Sequence, residues 1–310
     1  MTNALVIGFG GMGCRHAQSL MNSSAFDKIY ILEPNENVFH KNWNLIGAQE
    51  NSKIIRIHSM DNIKVEIEFI VIATLADIRF KYFVECFKLD PKYILMEKII
   101  FQSKEEFSQA ISLVKNHKAQ VYGNLPNRYF ENYIQIKKEG LEIEKIKVTG
   151  PDFGLLCNSV HYIDLTQYLT GDVLVSHVSS MGWSEALNKR GVNFIEGEGT
   201  LVFTTKRGVL LEIVSDSKIY TDVVVEINTK HKTFRFNENK GLGSEISGSG
   251  AIQAEYSPVF ASVLTSQAYA DMMRGKCLFP NLEELRSSHC ALFDSVKSLT
   301  DVYTDRLPIT

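Results

Sequence analysis

Two groups of residues in this 310-residue chain could do chemistry, and each depends on an element that must place it. The first is the stretch GLLCNSVHYIDLTQYLTG, residues 154–171, which reads as a helix. Cys157, His161 and Asp164 follow an i, i+4, i+7 spacing, so a helix lines a thiol, an imidazole and a carboxylate along one face, with Asn158 beside them. An imidazole titrates near neutrality, and a base placed beside a carbinol can take the hydroxyl proton that must leave when hydride is removed. The same row also fits a polar helix start around a hydrogen-bonded core histidine, and these residues alone leave both readings open.

The second group is LVIGFGGMGCRH, which holds Gly8-x-Gly10-x-x-Gly13 between a strand and a helix. The first glycine permits a tight turn, the second lets backbone approach a pyrophosphate, and the third lets helix and strand pack closely. Phosphates rest on the helix N-terminus in such loops, so Gly11 and Met12 are counted with the cofactor contacts. Glu33 follows Gly13 by 20 residues and ends the next apolar run. A carboxylate there accepts hydrogen bonds from a ribose 2′-hydroxyl and repels a 2′-phosphate, so the expected cofactor is NAD rather than NADP. Methyltransferases that bind S-adenosylmethionine use a similar turn and acid, which leaves a rival from another class.

These residues need a frame. Over residues 1–123, short apolar runs (ALVIGF, KIYILE, KIIRIH, EFIVIAT, KYILME, AQVYGN) alternate with helical segments (GCRHAQSLM, DIRFKYFVECFKL, SKEEFSQAISLVKNH). That alternation predicts a parallel, doubly wound sheet. Over residues 124–310 the strand candidates come in series, from VLVSHVSSMGW to KTFRFN, with TKRG as a hairpin turn and helices before and after. Strands in series predict an open, mostly antiparallel sheet in an α+β domain. The segment GLGSEISGSGAIQ, residues 241–253, reads as a Gly/Ser-rich mobile loop.

Composition excludes several classes. The net charge is -3, from 33 basic and 36 acidic residues with no dense basic run, which argues against nucleic acid and anionic membrane as partners. No apolar window reaches the roughly 18 residues of a membrane span and the N-terminus lacks a signal pattern, so a cytoplasmic protein is expected. Five scattered cysteines without a CxxC pair argue against a disulfide framework and a zinc site, and no His/Asp/Glu set has metal-ligand spacing.

Two further pairs lie where ligands of doubly wound folds bind, at the carboxyl ends of strands. Ala73-Thr74 end one strand in IVIATLADIRF, and Glu97-Lys98 end the next in YILMEKII. Together with GFGGMGCRH and VHYID, these resemble the glucose–fructose oxidoreductase/inositol dehydrogenase/MocA family over nearly the whole chain. The resemblance implies an α/β chain with an N-terminal Rossmann domain, followed by a helix-backed open sheet that binds substrate. It assigns Gly8, Gly10, Gly13 and Glu33 to NAD and places Ala73, Thr74 and Glu97 near the cofactor. Lys98 then contacts substrate and assists proton transfer, with His161 as its partner. A lysine at such an edge can also hydrogen-bond a developing alkoxide. The chain departs from the family twice. Ile99 replaces a proline after the lysine, and Cys157 replaces an aspartate that orients the histidine, leaving that task to Asp164 or Asn158.

Arg128 in PNRYF is a candidate substrate donor, and Lys189 and Arg190 in SEALNKRGVNFIEGEG could pair with a substrate phosphate or carboxylate. CNxVHYID with a later KRxxxFxE is similar to family branches found with surface-polysaccharide and nucleotide-sugar genes. The expected function is therefore an NAD-dependent oxidoreductase that interconverts a secondary alcohol and a ketone on a sugar or nucleotide-sugar. The alternatives are a non-catalytic NAD-binding sensor or scaffold and an S-adenosylmethionine-dependent methyltransferase. The flat second sheet predicts a homo-oligomer.

Overall fold

The computed structural model describes residues 2–48, 51–183, 193–256, 259–298 and 306–310. The elements run β1 (Asn3–Ile7), α1 (Gly11–Met21), β2 (Lys28–Leu32), α2 (Glu36–Leu45), β3 (Ile54–Ile57), β4 (Phe69–Ile72), α3 (Ala76–Cys86), β5 (Tyr93–Met96), α4 (Lys104–Lys115) and β6 (Gln120–Gly123). Then follow α5 (Glu131–Glu139), β7 (Ile143–Gly150), α6 (Leu155–Thr170), β8 (Leu174–Trp183), β9 (Gly197–Thr205), β10 (Leu210–Ser215), β11 (Val224–Thr229), β12 (Lys232–Asn237), β13 (Leu242–Ser247), β14 (Gly250–Glu255), α7 (Ala261–Met273) and α8 (Leu282–Lys297).

The chain divides into two compact units, residues 1–101, 105–126 and 259–283 in the first and residues 102–104, 127–258 and 284–310 in the second. In the first, six parallel strands take the order β3-β2-β1-β4-β5-β6, the order of a Rossmann fold. Every residue of β1 and β4 is buried, as expected of central strands covered on both faces, and hence their unbroken apolar runs. The helix α2 has no counterpart among the elements read from the sequence, although its start is marked: the Asn35 side chain accepts from the Val38 N–H at 3.1 Å and caps it.

The helix α7 belongs to the first unit, whereas a cut after residue 123 places it with the second. The reason is packing. Tyr269 lies 4.6 Å from the Phe26 ring and 5.2 Å from the Phe69 ring, and Ser19 of α1 bonds the Val263 carbonyl and Ser266 hydroxyl of α7. Periodicity reveals that such a segment is a helix but not which sheet it covers.

The second unit is built on an eight-stranded sheet of order β14-β13-β12-β11-β7-β10-β9-β8. Only β7 and β10 pair in parallel, so the α+β, mostly antiparallel domain expected from the sequence is present. Along β10 buried and half-buried residues alternate, and α6 lies across β7, β9 and β10 on the buried side. The opposite face carries a row in register across five strands, Val202–Glu212–Lys147–Glu226–Arg235. Residues 241–253 are not a loop. They form the hairpin of β13 and β14, turning at Gly248-Ser249 between the partners Ser247 and Gly250. Glycine and serine lack the side chains that announce a strand, but backbone pairing with β12 needs none.

Arg128 is buried at the start of this unit and is clamped by two helices. It donates to Asp164 of α6 at 2.9 and 2.7 Å and to Glu284 of α8 at 2.8 Å. Removing one partner of such a pair leaves an uncompensated buried charge, at a cost of about 3–5 kcal/mol. Asp164→Ala is therefore expected to lower unfolding free energy by that amount in urea titration. A loss within about 0.5 kcal/mol, typical of an exposed substitution, would contradict the clamp.

Candidate functional site

The glycine loop is shaped by what surrounds each residue. Gly8 has φ +86, and a Cβ on it would stand 3.0 Å from the Ala73 carbonyl and the Thr74 nitrogen, so the loop is seated directly on the Ala73-Thr74 segment. A Cβ on Gly13 would come within 1.9 Å of the Gly8 oxygen, which only glycine avoids. Gly10 and Gly11 differ: added Cβ atoms would meet no protein atom within 4 Å. Nothing inside the protein requires glycine at residue 10, whereas a pyrophosphate laid on the loop does. Gly10 caps α1 without a side-chain hydrogen bond, which leaves first-turn amides for an anion. Met12 is exposed in that turn.

Two polar atoms fit a bound dinucleotide. The buried Thr74 hydroxyl has no hydrogen-bond partner among the described residues. Glu33 lies at the end of β2 with little exposure; its Oε2 accepts from the Phe9 N–H and its Oε1 from the Asn35 N–H, both at 2.9 Å. Each oxygen keeps lone-pair capacity for a further donor. Asn42 of α2 donates to the Phe9 carbonyl at 2.6 Å, so both backbone groups of Phe9 are held. Asn42 was not identified from the sequence, because the helix that presents it was not.

Lys98 is buried after β5, in a cis peptide with Ile99. Its neighbour Glu97 faces inward. Glu97 Oε1 accepts from His16 Nε2 at 2.8 Å and from Asn124 Nδ2 at 2.5 Å. Burial works to raise the Glu97 pKa, but the His16 and Asn124 hydrogen bonds and the charges of His16 and Arg79 outweigh it and hold the carboxyl down at about 2. Glu97 is thus engaged with protein groups where the sequence suggested cofactor. Arg79, buried on α3, donates to the carbonyls of Thr74 and Ile99 and ties together the two segments that carry Thr74 and Lys98. Arg79 and His16 stand in the quoted motifs without a role, since their partners are remote in sequence.

In the second unit α6 divides the expected row. Cys157, Asn158 and His161 are half-buried, whereas Asp164 is fully buried. Burial pushes the Asp164 carboxyl up to about 6 against the pull of Arg128, so at neutral pH it is ionised and paired. Asp164, one of two candidates from the sequence to orient His161, and Arg128, a candidate substrate donor, thus engage each other. Asn158 donates to the Phe153 carbonyl at 2.5 Å. Lys189 and Arg190 lie outside the described residues. Glu196 supplies what the sequence did not reveal: it accepts from the Leu156 N–H at 2.5 Å and the Cys157 N–H at 3.2 Å, capping α6 from outside the helix.

Residues 2–125 match the model of an oxidoreductase family with an NAD-binding Rossmann fold. Comparison with curated protein sequences gives no match. Solved structures share the fold at low identity. UDP-N-acetylglucosamine 3-dehydrogenase GnnA from Acidithiobacillus ferrooxidans superposes with TM-score 0.79 at 14% identity, over 95% of this chain and 97% of that one. An oxidoreductase from Agrobacterium radiobacter in complex with NAD+, L-tartaric acid and magnesium gives 0.78 at 12% identity, over 98% of each chain. A super-repressor mutant of Gal80p from Saccharomyces cerevisiae gives 0.76 at 15% identity, over 96% of this chain and 95% of that one.

The glycines generate a paired expectation. Gly13→Ala should force backbone to shift and cost about 1–3 kcal/mol, read as a lower melting temperature. Gly10→Ala should melt like the parent yet bind NADH about 10- to 100-fold more weakly, through lost phosphate hydrogen bonds worth about 1.5–3 kcal/mol. Parent-like NADH affinity in Gly10→Ala would remove the loop from the cofactor site.

Proposed function

Proceeding from a nucleotide domain that belongs to the glucose–fructose oxidoreductase/inositol dehydrogenase/MocA family, we propose that the chain interconverts a secondary alcohol and a ketone on a sugar or nucleotide-sugar, with NAD as cofactor. The observation that carries this reading is the loop itself: Gly10 is required by no protein neighbour, and Gly8 of the same loop is seated on the backbone of Thr74, whose buried hydroxyl has no hydrogen-bond partner among the described residues. The similarity to UDP-N-acetylglucosamine 3-dehydrogenase supports a nucleotide-sugar substrate, and a role in surface-polysaccharide synthesis agrees with it. The family match also favours an oxidoreductase over a methyltransferase.

Bound on the loop, the nicotinamide would accept or supply hydride. Glu33 holds the adenosine ribose, and its charge opposes a 2′-phosphate. Lys98 hydrogen-bonds the reacting oxygen and exchanges its proton, steadying negative charge as it develops there. His161 is the candidate for a second proton-transfer group, on the stretch of α6 that also carries Asn158 and Cys157. Lys189 and Arg190 answer a substrate phosphate.

One observation favours a second reading, a non-catalytic NAD-binding protein. Asp164 is committed to Arg128, and a thiol stands at residue 157. Titration with NADH and NADPH followed by a nucleotide-sugar screen separates the two. The parent should bind NADH more tightly than NADPH. Lys98→Met, which keeps the apolar stem, should retain that preference while turnover falls by roughly 10²–10⁴. Equal affinity for both cofactors would overturn the role of Glu33, and parent-like turnover in Lys98→Met that of the lysine. NADH binding without turnover on any nucleotide-sugar would leave the sensor.

Among the described residues no helix is long and apolar enough to cross a membrane, in keeping with a cytoplasmic enzyme. The uncovered face of the second sheet carries charges of alternating sign, Glu212–Lys147–Glu226–Arg235, that a two-fold copy can complement. A homo-oligomer through this face is expected at micromolar concentration by light scattering; a monomer there would refute it.

A further inference from the structure

The first unit holds a buried charged cluster that the chemistry above does not use directly. His16 on α1 is fully buried with both ring nitrogens engaged. Nδ1 lies 2.7 Å from the Thr265 hydroxyl of α7, and Nε2 lies 2.8 Å from Glu97 Oε1. The partners decide where the protons are. Thr265 has one hydroxyl proton, and it is directed to the Ala261 carbonyl at 2.8 Å, the back-bond of a helical threonine. With its proton on that carbonyl, the oxygen accepts from His16, and Nδ1 then carries a hydrogen. Glu97 also accepts from the Asn124 amide, and an ionised carboxylate has no proton to give, so Nε2 carries a hydrogen too.

We propose that His16 is a buried imidazolium and that, by gripping Glu97, it acts as a positioning residue for Lys98. The geometry around Lys98 explains how. The Glu97 N–H donates to the Ile72 carbonyl at 2.9 Å, and the Asn124 N–H to the Met96 carbonyl at 2.8 Å. On the far side, the buried Ile99 has its carbonyl held by Arg79. The residues before and after Lys98 are therefore fixed, and the lysine is presented from an immobile backbone. The charges facing one another are the His16 imidazolium from α1, the Glu97 carboxylate after β5 and the Arg79 guanidinium from α3, with the neutral Asn124 and Thr265 completing the shell. Through Thr265 the same imidazolium fastens α7, which enters the first unit only after the chain has traversed the second.

The positioning role rests on the reading of Lys98 as the proton-transfer residue; the protonation of His16 does not, and the two are tested apart. Ring-nitrogen NMR of the intact protein at neutral pH, assigned against His16→Gln, should place both His16 nitrogens in the protonated range. One nitrogen in the unprotonated range overturns the imidazolium. In kinetics, His16→Gln and Glu97→Gln should each lower kcat by about 10²-fold, the cost of a misplacement on the order of 1 Å, with NADH affinity unchanged. Ser19→Ala removes bonds between α1 and α7 without touching Glu97, and should keep kcat. Parent-like kcat in His16→Gln, or an equal loss in Ser19→Ala, would reduce His16 to helix docking and overturn the positioning role. Where no substrate turns over, the proposed function fails, and the NMR measurement still decides the imidazolium.

Discussion

The first unit depends on how closely α1 approaches the turn before it. With the Gly8 oxygen only 1.9 Å from where a Cβ on Gly13 would be, the helix lies at a depth that only glycine permits. That depth sets the first-turn amides at the floor of the loop. It also sets the level of everything further along the helix. Gly13, His16 and Ser19 follow at steps of three, so they share one face. His16 thereby meets Glu97, and Ser19 meets α7. One close contact thus registers the phosphate-facing turn, the end of β5 and a helix contributed from the far end of the chain.

The polar groups around the loop serve structure and ligand together. Glu33 gives one oxygen to the Phe9 amide and the other to Asn35, so the carboxylate proposed to meet a ribose also holds the loop in place. Arg56 lies beside it, donating to the Glu33 carbonyl at 3.3 Å, pairing with Glu36 and covering the Phe39 ring at 4.4 Å. Under the proposed role, loss of Glu33 would act on cofactor preference and loop geometry at once.

How much was legible follows from the range of each interaction. The central strands of the first unit are readable because both their faces are buried, which writes them as apolar runs; the glycines are readable because their requirement is local. The hairpin of β13 and β14 is not, since it is held by backbone pairing, glycine and serine interrupt its side-chain pattern, and β14 is exposed along its length. The partners of His16 lie 81 and 249 residues away, and Glu196 stands 40 residues from the amide it caps, separations at which no spacing rule operates. The row on α6 was correct as a helical face, but the depth of that face was not in the spacing. Its far end runs into the core, where Arg128 takes Asp164.

The thiol at residue 157 makes sense beside that remote cap. A helix start favours negative charge near its free amides, and Glu196 brings one, with Oε2 3.2 Å from the Cys157 nitrogen and 3.3 Å from where a Cβ on Gly154 would be. An aspartate at residue 157 would set a second carboxylate against this one, and like charges at such range oppose each other's ionisation. A half-buried cysteine, its Sγ 3.6 Å from the Gly154 carbonyl, leaves Glu196 uncontested. The acid at the head of α6 is supplied by the segment that precedes β9 and not by the helix itself. The thiol at residue 157 and the cap at residue 196 are then two halves of one electrostatic arrangement.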